Sequence, residues 1–417
     1  MKSFEILGGR KLDGKIRIES AKNSVLALLA ASFLSDEQVV IKDCPKIQDV
    51  ISMVEILSYL GVKTHFEDNA LVIDAKGRKG FSVPENLTKK LRSSIYFMGA
   101  LCGVYKKAEM HLPGGCKIGE RPVDLHILAM QNLGYKTKLF NNKIKCIKKT
   151  SLDSIIQFSF PSVGATVNAI LASVLGQNRT VILNGAKEPE IVDLAEFVNS
   201  MGGKINGAGT SRIEIYGVKK LGGTVYRPIP DRIELGTYIL ASAITGGKTQ
   251  FENANLKNIK ILIDKILNNS CHISIKNDII YAKFQSLAKG VCLTTAPYPG
   301  FPTDLQPQVS AYLSVCDGCS LIKETLFERR FSFASELNKM GADITVKNDR
   351  AFIRGVKNLH GDKVTAFDLR SGASLVIAGL KAEGKTLIDG VEHIERGYLD
   401  LPKKLSMLGA DVKLITT

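Results

Sequence analysis

An apolar residue, a glycine and then a strand-like stretch recur along the chain, at Leu60-Gly61-Val62, Leu133-Gly134-Tyr135, Met201-Gly202-Gly203, Met340-Gly341-Ala342 and Leu408-Gly409-Ala410. The glycines lie 73, 68, 139 and 68 residues apart. The spacing of 139 is about twice the others, so one unit has lost its marker, near Asn268-Asn269, and the chain reads as six units. A repeat of this length is one supersecondary element that cannot bury its apolar face alone, so the units must stack.

Each unit opens alike. A short polar cluster leads into a helix of small and aliphatic residues, at Ala21-Lys22-Asn23, Leu91-Arg92-Ser93, Ser162-Val163-Gly164, Pro230-Asp231-Arg232, Thr303-Asp304-Leu305 and Leu369-Arg370-Ser371. A strand follows, as at 180–183, then a more amphipathic helix, as at 193–200, then two strands. A chain of 417 residues exceeds one core of ordinary size. Three repeats in each of two α/β domains is therefore the expected architecture. The stretch from Gly222-Gly223 to Pro228-Ile229-Pro230 reads as a hinge, with the other crossing near Ser20-Ala21. The expected domains are 1–21 plus 230–417, and 22–229.

Bulk properties narrow the function. The net charge of +15 allows nucleic acid, an anionic surface or anionic small substrates as partners. No stretch resembles a recognition helix or an aromatic-plus-basic RNA-binding strand, so nucleic acid is not expected. The most apolar run, 25–34, is too short to span a bilayer, so membrane insertion is not expected either. The opening residues MKSFEILGG lack a signal pattern, and eight scattered cysteines read as reduced thiols; both point to the cytoplasm. The lone Cys316-Asp317-Gly318-Cys319 pair has no partner pair for zinc and reads as structural, and no nucleotide fingerprint is present.

The most distinctive stretch is 112–127, LPGGCKIGERPVDLHI. Glycines flank Cys116, Lys117 and Arg121 lie close by, and Pro122 suits a helix start. Cationic neighbours lower a thiol's pKa from about 8.5 towards neutrality, which makes Cys116 a usable acid or nucleophile. Lysine or arginine at a helix start opposes the dipole, so Lys22, Arg92 and Arg370 point to a ligand, whereas Ser, Asp and Asn there also fit ordinary caps. Asp304, after a rigid PGFP approach, suits a carboxylate that takes a proton from a substrate hydroxyl. Arg330 in FERRF, Arg370 in FDLRSGAS and Arg396 in HIERGY suit oxyanion binding.

Together with AKN at 21–23, PSVGAT at 161–166, EPEIVD at 188–193, PDRIE at 230–234, FPTDLQ at 301–306, DLR at 368–370 and ERGY at 395–398, that stretch resembles the UDP-N-acetylglucosamine enolpyruvyl transferase family of the EPSP synthase superfamily, over essentially the whole chain. The resemblance implies a two-domain inside-out α/β barrel. It also implies transfer of the enolpyruvyl group of phosphoenolpyruvate to the 3′-hydroxyl of UDP-N-acetylglucosamine, with no cofactor and no metal. By resemblance, Lys22, Asn23, Arg121, Arg396, Arg330 and Arg370 bind phosphoenolpyruvate. Cys116 protonates its methylene carbon and can form an adduct, Asp304 takes the hydroxyl proton, and Asp368 steadies the cationic intermediate. Asn23, Arg92, Arg121, Pro122, Val123, Asp124, Leu125, Ser162, Val163, Gly164, Asp304 and Leu326 line the sugar-nucleotide site. Ser20 stands where glycine is common in the family, and Tyr96 where some members carry tryptophan.

Overall fold

The computed structural model describes residues 2–114, 119, 122–268 and 270–416. They gather into two compact units. Of these, one unit contains residues 2–19, 119 and the described part of 230–416, the other 20–114 and 122–229. Among the described residues there are six four-stranded sheets, three in each unit.

All six sheets share one plan. A short edge strand pairs parallel with the strand that follows the first helix, and two further antiparallel strands complete the sheet, a hairpin in five of the six. In one repeat, Ser154–Gln157 lies parallel to Arg179–Leu183, which pairs antiparallel with Arg212–Tyr216 and through it with Ile205–Asn206. The edge strand was not anticipated from the sequence. It runs to only two residues at Ser82–Val83 and three at Cys292–Thr294, too few to show an alternating pattern. The expected hinge contains one of these strands, Thr224–Tyr226, which pairs parallel with Gln38–Ile41.

The chain ends explain the crossings. Asp13–Arg17 serves as the parallel edge of the sheet that continues through Lys248–Glu252, while Thr224–Tyr226 does so for the first sheet of the other unit. Each of these edge strands thus belongs to the unit other than that of the helix that follows it in sequence. The N-terminal strand Lys2–Leu7 closes the last repeat by pairing with both Lys385–Asp389 and Asp411–Thr416.

The first helix of each repeat is buried and the second is amphipathic. Twelve of the thirteen residues of Leu369–Lys381 are buried. Pro189–Ser200 buries one side, through Ile191, Leu194, Ala195, Phe197 and Val198. In one unit Arg232–Thr245, Gln306–Leu313 and Leu369–Lys381 pack on one another, and in the other Tyr96–Tyr105 packs on both Lys22–Ser32 and Val163–Ser173. Small residues permit this. A Cβ on Gly99 would lie 2.6 Å from the Asn168 carbonyl oxygen of the neighbouring helix. Six buried helices thus aim their N-terminal turns, where four amide protons each lack intrahelical partners, at the polar openings seen in the sequence.

Candidate active site

In the unit containing Pro230–Thr417, the charged residues converge on Asp304. It lies in the 3-10 turn Thr303–Leu305 that leads into helix Gln306–Leu313. Arg330 donates to Asp304 Oδ1 at 2.8 Å, and Arg370 to Oδ2 at 3.2 Å. Both arginines are almost wholly buried, whereas 31% of the Asp304 side chain remains exposed. Two guanidinium groups therefore fix the carboxylate while part of it stays exposed. Arg330 also donates twice to the Thr303 carbonyl, and Arg370 donates to Tyr398 Oη at 3.2 Å. The neighbouring Asp304 and Tyr398 oxygens push the Arg370 pKa up against its burial.

Asp368 is the N-cap of Leu369–Lys381, its Oδ1 accepting from the amides of Arg370 and Ser371 while Ser371 Oγ accepts from the Asp368 amide. Its Oδ1 also lies 3.8 Å from Arg330. Arg330 and Arg370, expected to bind a ligand's oxyanion, are turned onto the chain's own carboxylate. Arg396 caps the short helix Val391–Glu395, and Leu326 follows strand Cys319–Lys323 in a turn.

The other unit assembles a second group. Lys22 begins the buried helix Lys22–Ser32, and its ammonium pairs with Asp49 at 2.8 Å, both side chains nearly buried. Asn23 follows on the same helix, half-buried. Arg92 opens the turn before Tyr96–Tyr105. Ser162 caps Val163–Ser173 through the Ala165 amide. Val123 is the N-cap of Asp124–Asn132, with Pro122 just before it and Leu125 just inside. Cys116 and Arg121 lie outside the described residues.

His126 links helix Asp124–Asn132 to the 162–164 turn and feels the charge of Arg92. The Asn168 amide oxygen accepts from the Gly99 amide at 2.6 Å, which turns its nitrogen onto His126 Nδ1 at 2.7 Å. His126 Nδ1 is then the acceptor, and the proton resides on Nε2. Burial, and secondarily the charge of Arg92, lower its pKa to about 3. A Cβ on Gly164 would meet the imidazole at 2.9 Å, so glycine allows the ring to lie against the 162–164 turn. Asp49, Asn168 and Tyr398 were not singled out as site residues by sequence. Only Tyr398 carried a signal, as the last residue of ERGY.

Among the described residues no group of His, Cys, Asp or Glu could hold a metal ion, and no helix is long and apolar enough to cross a membrane. Of the Cys316-Cys319 pair, Cys316 is buried just beyond helix Gln306–Leu313 with its thiol pushed up by burial to about 12, whereas Cys319 is exposed.

Two units of three helix-and-sheet repeats, with charged side chains gathered at the N-termini of the buried helices, define the class as an α/β protein of the inside-out type. Solved structures share the fold at full length: the enolpyruvyl transferase NikO from Streptomyces tendae, at a TM-score of 0.88 and 24% identity over 100% of this chain and 99% of that one, and an EPSP synthase from Acinetobacter baumannii, at 0.77 and 16%, covering both chains completely. The model of the family EPSP synthase (3-phosphoshikimate 1-carboxyvinyltransferase) matches residues 6–405. The chain belongs to this family. It is 47% identical over 413 residues, 99% of each chain, to UDP-N-acetylglucosamine 1-carboxyvinyltransferase 2 of Caldanaerobacter subterraneus subsp. tengcongensis. It is also 42% identical over 417 residues, 100% of this chain and 99% of the other, to UDP-N-acetylglucosamine 1-carboxyvinyltransferase of Thermotoga maritima.

Proposed function

We propose that this protein transfers the enolpyruvyl group of phosphoenolpyruvate to the 3′-hydroxyl of UDP-N-acetylglucosamine and releases phosphate, the first committed step of peptidoglycan synthesis, in the cytoplasm. What carries the reading is the 47% identity over 413 residues with a protein of that name. The enzyme's two domains are then 1–21 with 230–417, and 22–229.

The chemistry is an addition followed by an elimination. The sugar hydroxyl oxygen bonds to C2 of phosphoenolpyruvate, C3 gains a proton and the hydroxyl loses one. The bond from C2 to the phosphate oxygen then breaks, and a proton leaves C3 to restore the double bond. Such a reaction needs an acid at carbon, a base at oxygen and fixed cations that offset the anionic donor. Cys116 is assigned as the acid and Asp304 as the base. Arg330 and Arg370 hold the Asp304 carboxylate at 2.8 and 3.2 Å, so its approach to the hydroxyl needs no side-chain search. Their charge, with that of Lys22, Arg121 and Arg396, offsets the phosphate and carboxylate of the donor. Asp368 steadies the positive charge that develops at C2. Asn23, Arg92, the residues 121–125 and 162–164, and Leu326 bind the sugar nucleotide.

The test is a coupled phosphate-release assay. Phosphate must appear only when phosphoenolpyruvate and UDP-N-acetylglucosamine are both present, and Asp304→Ala must abolish it while the fold is retained. Turnover of phosphoenolpyruvate with shikimate 3-phosphate in place of the sugar nucleotide would overturn the reading.

A further inference from the structure

We propose that Glu324 is a positioning residue for this transfer. One buried carboxylate sets both the turn that presents Asp304 and the backbone at Leu326. The proposal rests on the functional reading above, in which Asp304 is the base and Leu326 lines the sugar-nucleotide site. Glu324 follows strand Cys319–Lys323 and is 4% exposed. Its Oε2 accepts from Thr303 Oγ1 at 2.9 Å. Its Oε1 accepts from Thr295 Oγ1 and from the Leu326 amide, each at 2.9 Å.

The partners of Glu324 are themselves held. The Thr325 amide donates to Thr295 Oγ1 at 2.9 Å, and Thr325 Oγ1 donates to the Thr295 carbonyl at 2.7 Å. Thr303 is gripped at both ends, its hydroxyl by Glu324 and its carbonyl by Arg330 at 3.1 and 3.3 Å. Asp304 is the next residue, so these contacts on Thr303 hold the backbone from which its side chain projects. The same carboxylate reaches the Leu326 turn without an intermediary. A carboxylate suits the place because each group facing it can donate, and buried charge-assisted hydrogen bonds are strong and directional. Glu324 touches no reacting group itself. It acts through Thr303 and Leu326.

The experiment uses the full chain with Glu324→Ala, Glu324→Gln and Thr303→Val. It measures steady-state phosphate release with each substrate varied, calorimetric binding of UDP-N-acetylglucosamine, and thermal unfolding. Glu324→Ala should lower kcat about tenfold or more and weaken UDP-N-acetylglucosamine several-fold, while the KM for phosphoenolpyruvate stays within about twofold. Glu324→Gln should restore kcat to within about threefold of wild type. Its amide oxygen still accepts from Leu326, and its nitrogen donates to a Thr303 hydroxyl that turns round to accept. Thr303→Val should lower kcat yet leave sugar-nucleotide binding intact, a split that general loosening would not produce. Wild-type kcat in folded Glu324→Ala or in Thr303→Val overturns the proposal; if Glu324→Ala fails to fold, Thr303→Val decides. An active wild type with unaffected variants sinks this proposal alone, whereas a wild type that neither binds UDP-N-acetylglucosamine nor releases phosphate sinks the functional reading.

Discussion

Arg330→Ala puts the architecture of the site under the most direct strain. The guanidinium is 2% exposed and makes three hydrogen bonds, one to Asp304 at 2.8 Å and two to the Thr303 carbonyl. Removing one member of a buried ion pair costs about 3–5 kcal/mol, because the remaining charge keeps its desolvation penalty and loses its partner. Asp304 is 31% exposed and retains Arg370, so the lower end, about 3 kcal/mol, applies. In a domain of this size each kcal/mol shifts Tm by about 2–4 °C, which gives a loss of about 6–12 °C by calorimetry. Activity should fall as well. A carboxylate misplaced by about 1 Å costs on the order of a hundredfold in turnover. Arg330→Lys keeps the charge but not the planar fork, and should fall between. A Tm within 2 °C of wild type in Arg330→Ala, or kcat within about threefold, would refute the claim that Arg330 fixes Asp304.

Other expectations follow from the same contacts. Cys116→Ala should reduce phosphate release severely, and an epoxide of the fosfomycin type should add to Cys116 of the wild type alone, read by intact-mass spectrometry; an unmodified wild type contradicts the thiol's role. Burial pushes the Glu234 carboxyl up to about 7 despite the ammonium of Lys404 at 2.7 Å. Between the unfolded glutamate value near 4.5 and about 7, the folded state therefore holds a proton that the unfolded state has released, and stability falls as pH rises through that window. Glu234→Gln should flatten that fall in a Tm series from pH 5 to 8, and parallel curves would contradict it. Gly99→Ala should cost about 1–3 kcal/mol by denaturant unfolding, because the added methyl meets the Asn168 backbone, and a neutral result would mean the two helices can separate freely.

The repeat was legible because its marker has a backbone cause. Gly61, Gly134, Gly202, Gly341 and Gly409 each follow the second helix of a unit with φ between 81° and 94°, a conformation that favours glycine. The parallel edge strands were not legible, being too short to show a period. Nor were the strand partners of Asp13–Arg17 and Thr224–Tyr226, which lie 235 and 185 residues away along the chain. Charged residues at helix starts stood out as anomalies, and Lys22 and Arg370 do occupy such ends. Their partners could not be read locally. Asp49 answers Lys22 from the following helix, and Asp304 answers Arg370 from the preceding repeat, so pairing is fixed by how the repeats stack.

The central claim is that one enolpyruvyl group passes from phosphoenolpyruvate to the sugar nucleotide. Mass spectrometry of the sugar nucleotide after incubation with phosphoenolpyruvate and the wild-type chain tests it most directly. The account requires UDP-N-acetylglucosamine to gain a single enolpyruvyl group for every phosphate released. A sugar nucleotide of unchanged mass, with phosphate accumulating or not, would contradict it.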